Sequence, residues 1–275
     1  MEPITLLTIF FYIASTVIYL VYLFTQKDRL QSAGFWLLAA GFVCHTAGIA
    51  LRTIQSGHLP VQNMHGNLSI AAWSVAGVFL LFRVKLGLKI LGLYAAPLAA
   101  MIMLASTRAP ADTDPQAALG LFSNFWLVVH VVVIFLGEAA FALACGTGIL
   151  YLLQESAIKQ KGNRFFFKRL PSLELLDNTG YQCIITGFTL LTLGLITGLV
   201  YAKSVWGQFW SWDPKEVWSA ISWLIYAALL HGRLTSGWRG RRAALMAIFG
   251  FIVLLFTFFG VNSLFQGHHG EFTKW

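Results

Sequence analysis

The chain has 275 residues, of which 57% are hydrophobic and only 11% charged. Soluble domains carry about 25% charged residues, so a water-soluble fold could not hide this much apolar side chain, and the length reads instead as a count of membrane spans of about 20 residues each. Collagen, disordered and disulfide-built classes are excluded with it, and the formal net charge of +8 becomes a question of which side of a membrane the bases occupy.

In chain order, apolar runs predict eight spans at about 4–24, 34–54, 68–82, 86–105, 125–153, 181–202, 216–231 and 243–262, the third and seventh being short. The expected fold class is all-α, one polytopic membrane domain over residues 1–275. With the N-terminus outside, the inner loops carry Lys27, Arg29, Arg83, Lys85, Lys89, Lys159, Lys161, Arg164, Lys168, Arg169, Arg233, Arg239, Arg241 and Arg242, which is 14 of the 19 Lys and Arg. The outer side keeps Arg52, Arg108, Lys203, Lys215 and Lys274. The positive-inside rule therefore predicts both termini on the outer, periplasmic or lumenal, side, and the net charge is topology, with no nucleic-acid partner implied.

The first run does not read as a cleavable signal peptide, because Glu2 precedes it, Lys27 and Arg29 follow it, and it is longer than a signal core. Cys44, Cys145 and Cys183 fall inside predicted spans without a CxxC pair, so packing is their expected role. The chain shows no internal repeat, Walker loop or dinucleotide loop, and its longest inner loop runs from about Gln154 to Gly180. Any chemistry falls to the spans and the outer loops.

Two features stand out there. The segment WGQFWSWDPKEVWSAISW places Trp206, Trp210, Trp212, Trp218 and Trp223 within 18 residues, half of the ten Trp in the chain. Interfacial anchoring explains two or three of them; five together make an aromatic platform for a planar amphipathic ligand. Within it Asp213, Pro214, Lys215 and Glu216 read as N-cap, N1, N2 and N3 of the seventh span.

The histidines are the second feature. His58 and His65 lie in the outer loop after the second span, His130 near the outer end of the fifth, and His268 and His269 in the outer tail, so five of seven share a side with the tryptophans. A pair of neutral imidazoles beside an aromatic platform is a means of holding a haem iron from both faces. His231 ends the seventh span, 13 residues after Trp218 and so roughly 20 Å down the helix axis. It cannot share an iron with the platform, and serves either a second haem site near the inner leaflet or as an interfacial residue beside Arg233. His45, in mid-span, reads as a buried hydrogen-bonded residue.

WGQFWSWDPKEVWSAISWLIYAALLH resembles the tryptophan-rich signature, the WWD domain, of the haem-handling membrane proteins of cytochrome c maturation, specifically the CcsA family, also called ResC, of bacteria and plastids. SGHLPVQNMHGNLSIAAW, NFWLVVHVVVIF and FGVNSLFQGHHG resemble further segments of that family, in order, from about residue 50 to 270. The resemblance implies that His130 is the first outer-face ligand of haem iron and His269 the second, with His268 as rival. It implies that His231 is an in-membrane ligand paired with one from the partner subunit CcsB (ResB). The platform would be Trp206, Trp210, Trp212, Asp213, Trp218 and Trp223, inside the outer loop 206–223. Glu138, in the fifth span, departs from the apolar residue expected there.

The implied function is that of a holocytochrome c synthase of System II: non-covalent haem b is moved outward and attached, with CcsB, to the CxxCH motif of an apocytochrome c. The bacterial inner membrane is the expected location, the plastid thylakoid membrane the other. Two other classes share some of these features. A haem exporter or chaperone of the CcmC kind has the same tryptophan loop but a six-span pattern and no synthase activity. A membrane-anchor cytochrome b needs paired histidines in mid-bilayer, where only His45 lies.

Overall fold

The computed structural model of the chain describes residues 3–61, 63–87, 89–109, 125–160 and 169–265. Its helices are α1 (Pro3–Thr25), α2 (Asp28–Ser56), α3 (Met64–Leu86), α4 (Gly92–Ser106, entered through a 3-10 turn Lys89–Leu91), α5 (Phe125–Lys159), α6 (Leu173–Trp206), α7 (Pro214–Thr235) and α8 (Arg241–Leu255). A π-turn, Phe256–Gly260, and a last helical turn, Val261–Leu264, continue α8. There is no strand among the described residues. Among the described residues seven helical segments are long and apolar enough to cross a membrane. The remaining one, α7, has 22 residues, enough for about 33 Å, but carries Lys215, Glu216 and Arg233 in its terminal turns. The protein is thus the all-α polytopic membrane protein that its composition predicts.

The helices outrun the apolar runs that announced them, because polar end residues cap and extend them beyond the hydrocarbon. Thus α6 starts at Leu173, where the Ser172 hydroxyl accepts from Leu175 N at 3.3 Å. Apolarity alone predicts a start at 181. Likewise α3 starts at Met64 under an Asn63 cap, which accepts from Gly66 N at 2.8 Å.

The bundle has two halves, α1 to α4 and α5 to α8, with α5 packing against helices of both. Its stretch GEAAFALACGTG is rich in small residues, and it crosses both α6 and α8 closely: a Cβ on Gly137 would stand 3.2 Å from the Gly187 carbonyl oxygen, and one on Gly148 2.9 Å from that of Ala244. Close backbone approach of this kind is how helices associate where lipid supplies no hydrophobic drive. Phe141 of α5 stacks on Tyr226 of α7 with ring centroids 3.6 Å apart, tying α7 to α5 as well.

The two ends of the bundle differ. At one end the bases gather: Lys89 meets Asp28 at 3.2 Å, Arg241 meets Glu155 at 3.4 Å, and Arg169 donates to the Phe24 carbonyl. At the other end Arg52 is the hub, donating to Thr5 Oγ1 at 3.2 Å and to His65 at 2.7 Å. That end holds the tryptophan segment.

Candidate functional site

Between α5, α6, the start of α7 and the π-turn lies a cavity of about 300 Å³, within the size range of small-molecule sites. His130, in the second turn of α5, lines it. Its Nδ1–H donates to the Gly194 carbonyl of α6 at 2.7 Å, which sets the tautomer with the lone pair on Nε2, the form a metal ligand requires. Room for the ring is made by Gly198, one turn along α6: a Cβ there would lie 2.7 Å from His130 Cε1 and 2.8 Å from Nδ1. Two glycines on one face of α6 therefore do separate jobs, one offering its carbonyl and the other its missing side chain.

The tryptophan segment is divided by the fold. Trp206, the last residue of α6, and Trp210, in the following loop, line the cavity together with Phe209. Trp212 lies outside it, 78% exposed and held at a φ of +59°, a left-handed conformation uncommon for a bulky residue. Its ring meets that of Trp210 edge to face at 5.8 Å. Trp218 packs on Phe256 of the π-turn with ring centroids 4.6 Å apart. Trp223 donates from its indole to Thr192 Oγ1 at 2.9 Å, fastening α7 to α6. Neither Trp218 nor Trp223 reaches the cavity wall.

The loop's geometry comes from the first turn of α7. Glu216 accepts from Ser211 N at 2.9 Å, Ser211 Oγ at 3.1 Å and Asp213 N at 3.2 Å, while Asp213 accepts from Lys215 N at 2.9 Å. This is the proline-bearing capping box expected from the sequence, and Asp213 is buried as its cap without lining the cavity. The opposite wall is the π-turn, where Thr257 and Phe258 face the cavity and Thr257 shares a 3.3 Å hydroxyl contact with Ser222. An extra residue in one helical turn re-aims side chains, and such bulges recur at functional sites.

Two wall residues carry charge that the sequence left without a role. Glu138 of α5 and Lys215 of α7 both line the cavity. The signal was present for Glu138, an acid inside an apolar span; Lys215 was hidden by its reading as a helix-start residue.

The other histidines are accounted for locally. His45 is 3% exposed, with Tyr12 OH 3.1 Å from Nδ1 and Ser69 Oγ 2.9 Å from Nε2, as its mid-span position predicts. Both of its ring nitrogens are thus engaged within the bundle. His65 accepts from Arg52 on Nε2 and donates from Nδ1 to the Ser106 carbonyl at 2.8 Å. His58 Nδ1 stands 3.2 Å from the Leu59 carbonyl. His231 is exposed on the surface of the bundle, near the basic end. There, two residues on, Arg233 forms a two-toothed pair with Asp177 at 3.0 and 2.8 Å and lies 4.2 Å from the Tyr181 ring centroid. His268 and His269 lie outside the described residues. Among those described no group of three His, Cys, Asp or Glu could hold a metal ion, and Cys44, Cys145 and Cys183 are free.

The family model for cytochrome c assembly proteins matches residues 61–269. The chain is 35% identical to the cytochrome c biogenesis protein CcsA of Chlorella vulgaris, over 90% of this chain and 88% of that one. With the protein of the same name from Gloeothece citriformis it is 33% identical over 90% and 89%, and with that of a Synechococcus strain 38% over 85% and 84%. The matched region takes in the cavity, the tryptophan segment and His231. The chain therefore belongs to the cytochrome c assembly family, within the CcsA proteins, and its place is in cytochrome c maturation.

Proposed function

We propose that this protein takes up haem near the basic side of the membrane, passes it to the cavity, and presents it there for covalent attachment to the CxxCH motif of an apocytochrome c, working with the subunit CcsB. Haem is the cargo and substrate. The observation that carries the reading is His130: an imidazole locked by the Gly194 carbonyl in the tautomer with an Nε2 lone pair, in the wall of an apolar, aromatic-lined cavity. The donor set fits haem, since one nitrogen serves the iron, Trp206, Trp210 and Phe209 serve the ring, and Lys215 serves a carboxylate.

The second axial ligand is His269, with His268 the rival. The tail that bears them follows the π-turn lining the cavity. In the attachment step each apocytochrome thiol adds across one haem vinyl, sulfur to the carbon next to the ring and hydrogen to the terminal carbon, with nothing oxidised or reduced overall. The protein supplies orientation and near-attack positioning, and two histidines hold reduced iron until the histidine of the CxxCH motif replaces one. His231 receives haem at a second, inner site. Its exposure on the bundle surface suits a ligand pair completed by a histidine of CcsB. The membrane is the cytoplasmic membrane of a bacterium, or the thylakoid membrane if the chain is plastid-borne, and haem moves toward the periplasmic or lumenal face, where the charge bias also places both termini.

The test is haem content, reduced absorption spectrum and cytochrome c yield for single variants of the protein purified with its partner. His130→Ala or His269→Ala opens one axial position and abolishes attachment, with partial rescue by added imidazole. His231→Ala lowers the amount of haem while leaving the two-histidine spectrum of whatever is bound. Parental haem content and cytochrome yield in His231→Ala would dispose of the inner site; parental values in His130→Ala would dispose of the cavity as the haem site.

A further inference from the structure

Three residues with formal charge line the cavity, and they are not equivalent. Glu216 is consumed by its three hydrogen bonds to Ser211 and Asp213. Glu138 and Lys215 are not: among the described residues neither side chain makes a hydrogen bond or an ion pair. The Lys215 ammonium lies 5.8 Å from the Phe258 ring centroid, a modest cation–π contact; Glu138 across the cavity wall and the neighbouring Asp213, which does not line the cavity, both act on it as opposite charges. Two such charges facing an apolar cavity among membrane-spanning helices are costly in the absence of close partners.

Their placement gives the cavity a polarity. Lys215 stands at the second residue of α7, beside the loop that carries Trp210. Glu138 lies two turns of α5 beyond His130, about 12 Å further along the helix axis. A planar ligand with an acidic edge has one favourable way in, acid toward Lys215 and away from Glu138. Lysine suits the exchange of partners, since its compact charge rides on a flexible four-carbon stem.

We propose that Lys215 is the carboxylate-binding residue of the cavity and Glu138 its resident counter-charge, so that an acidic ligand binds by drawing the ammonium away from Glu138 and departs as Glu138 reclaims it. The assignment rests on the haem reading, which makes the carboxylates those of a porphyrin. It gives the site what a transfer protein requires, an anchor that orients its cargo and a built-in competitor that lets the cargo go.

The experiment uses the full chain, haem-depleted in nanodiscs, titrated with haem and with haem dimethyl ester, which keeps ring, iron and vinyl groups but has no free carboxylate. Affinity and release rate are read from the Soret band. Lys215→Gln weakens haem binding about 10- to 100-fold, the range of one charge-assisted hydrogen bond, and leaves the ester unchanged, while Lys215→Arg largely restores haem. Glu138→Gln acts in the opposite direction, slowing haem release several-fold, and the double variant behaves as Lys215→Gln alone, because the competitor has nothing left to compete for. Weaker haem binding in Glu138→Gln, or equal loss of haem and ester in Lys215→Gln, would overturn the assignment. If the parent protein binds neither compound, the haem reading itself falls. If it binds both but Glu138→Gln releases haem at the parental rate, the pair falls alone.

Discussion

The seat of His130 is open to a sharp test at Gly198, a cavity-wall residue of α6 with no side chain of its own to offer a ligand. Replacing it with Ala puts a methyl carbon 2.7 Å from His130 Cε1, where ordinary contact begins near 3.4 Å, so the ring must retreat by about 0.7 Å or turn. A movement of that size takes the 2.7 Å bond from Nδ1 to the Gly194 carbonyl to the edge of hydrogen bonding. Two terms enter stability with opposite signs: overpacking costs about 1–3 kcal/mol, and exchanging Gly for Ala inside a helix returns about 1 kcal/mol. The net change is small, about 0–2 kcal/mol. The effect on iron is expected to be larger, since loss of the hydrogen bond that orients a metal-bound imidazole typically lowers affinity about 10- to 100-fold. The assay is haem per mole of purified protein and the reduced spectrum, set beside the thermal half-life in detergent. Haem content is expected to collapse while the half-life barely moves. A variant that keeps parental haem content and spectrum would refute the claim that the α6 glycine slot holds this histidine.

Three further expectations follow from other parts of the bundle. Arg233→Leu leaves the half-buried Asp177 with the Gly240 amide, at 2.8 Å, as its hydrogen-bond partner, so the loss is expected to be about 1–3 kcal/mol, with a lower melting temperature; the double variant Arg233→Leu, Asp177→Leu is less damaged than the single, and an unchanged melting temperature in the single would refute the pair's role. His45→Leu strips Tyr12 and Ser69 of their shared partner at a cost of about 1–3 kcal/mol, yet haem bound per folded molecule stays parental, and a selective loss of haem would make His45 a ligand after all. Reporter tags at Gln160 and at the C-terminus are expected to signal inside and outside respectively, as the distribution of Lys and Arg requires; the same side for both would show the charge-derived topology to be wrong.

Helices were legible in this sequence because a bilayer imposes one simple demand, an apolar run of sufficient length. Their ends were less so, because Asn63 and Ser172 start helices in polar stretches that hydropathy cannot register. Locally encoded chemistry was also readable: Asp213-Pro214-Lys215-Glu216 announces its capping box, since every hydrogen bond in it closes within a few residues. What could not be read is whatever depends on the register between helices. The Nδ1 bond of His130 reaches a carbonyl on another helix, and the glycine that admits its ring is one of 25 in the chain.

The tryptophan segment marks the limit between these cases. Its density draws attention to one end of the molecule, yet density is not direction, and the five rings do not all line one cavity. Trp218 and Trp223 are five residues apart on α7, a rotation of about 140° around the axis, so they leave the helix on different sides. The structure uses them apart, Trp218 bracing the π-turn and Trp223 bonding to Thr192, while Trp206 and Trp210 turn to the cavity. Trp212, exposed and left-handed, is set aside from both roles. Large rings in such a segment therefore divide into those that make the wall and those that hold the wall in place. Removal of a bracing ring is expected to act through position, which is why haem content has to be read beside stability at every one of these tryptophans.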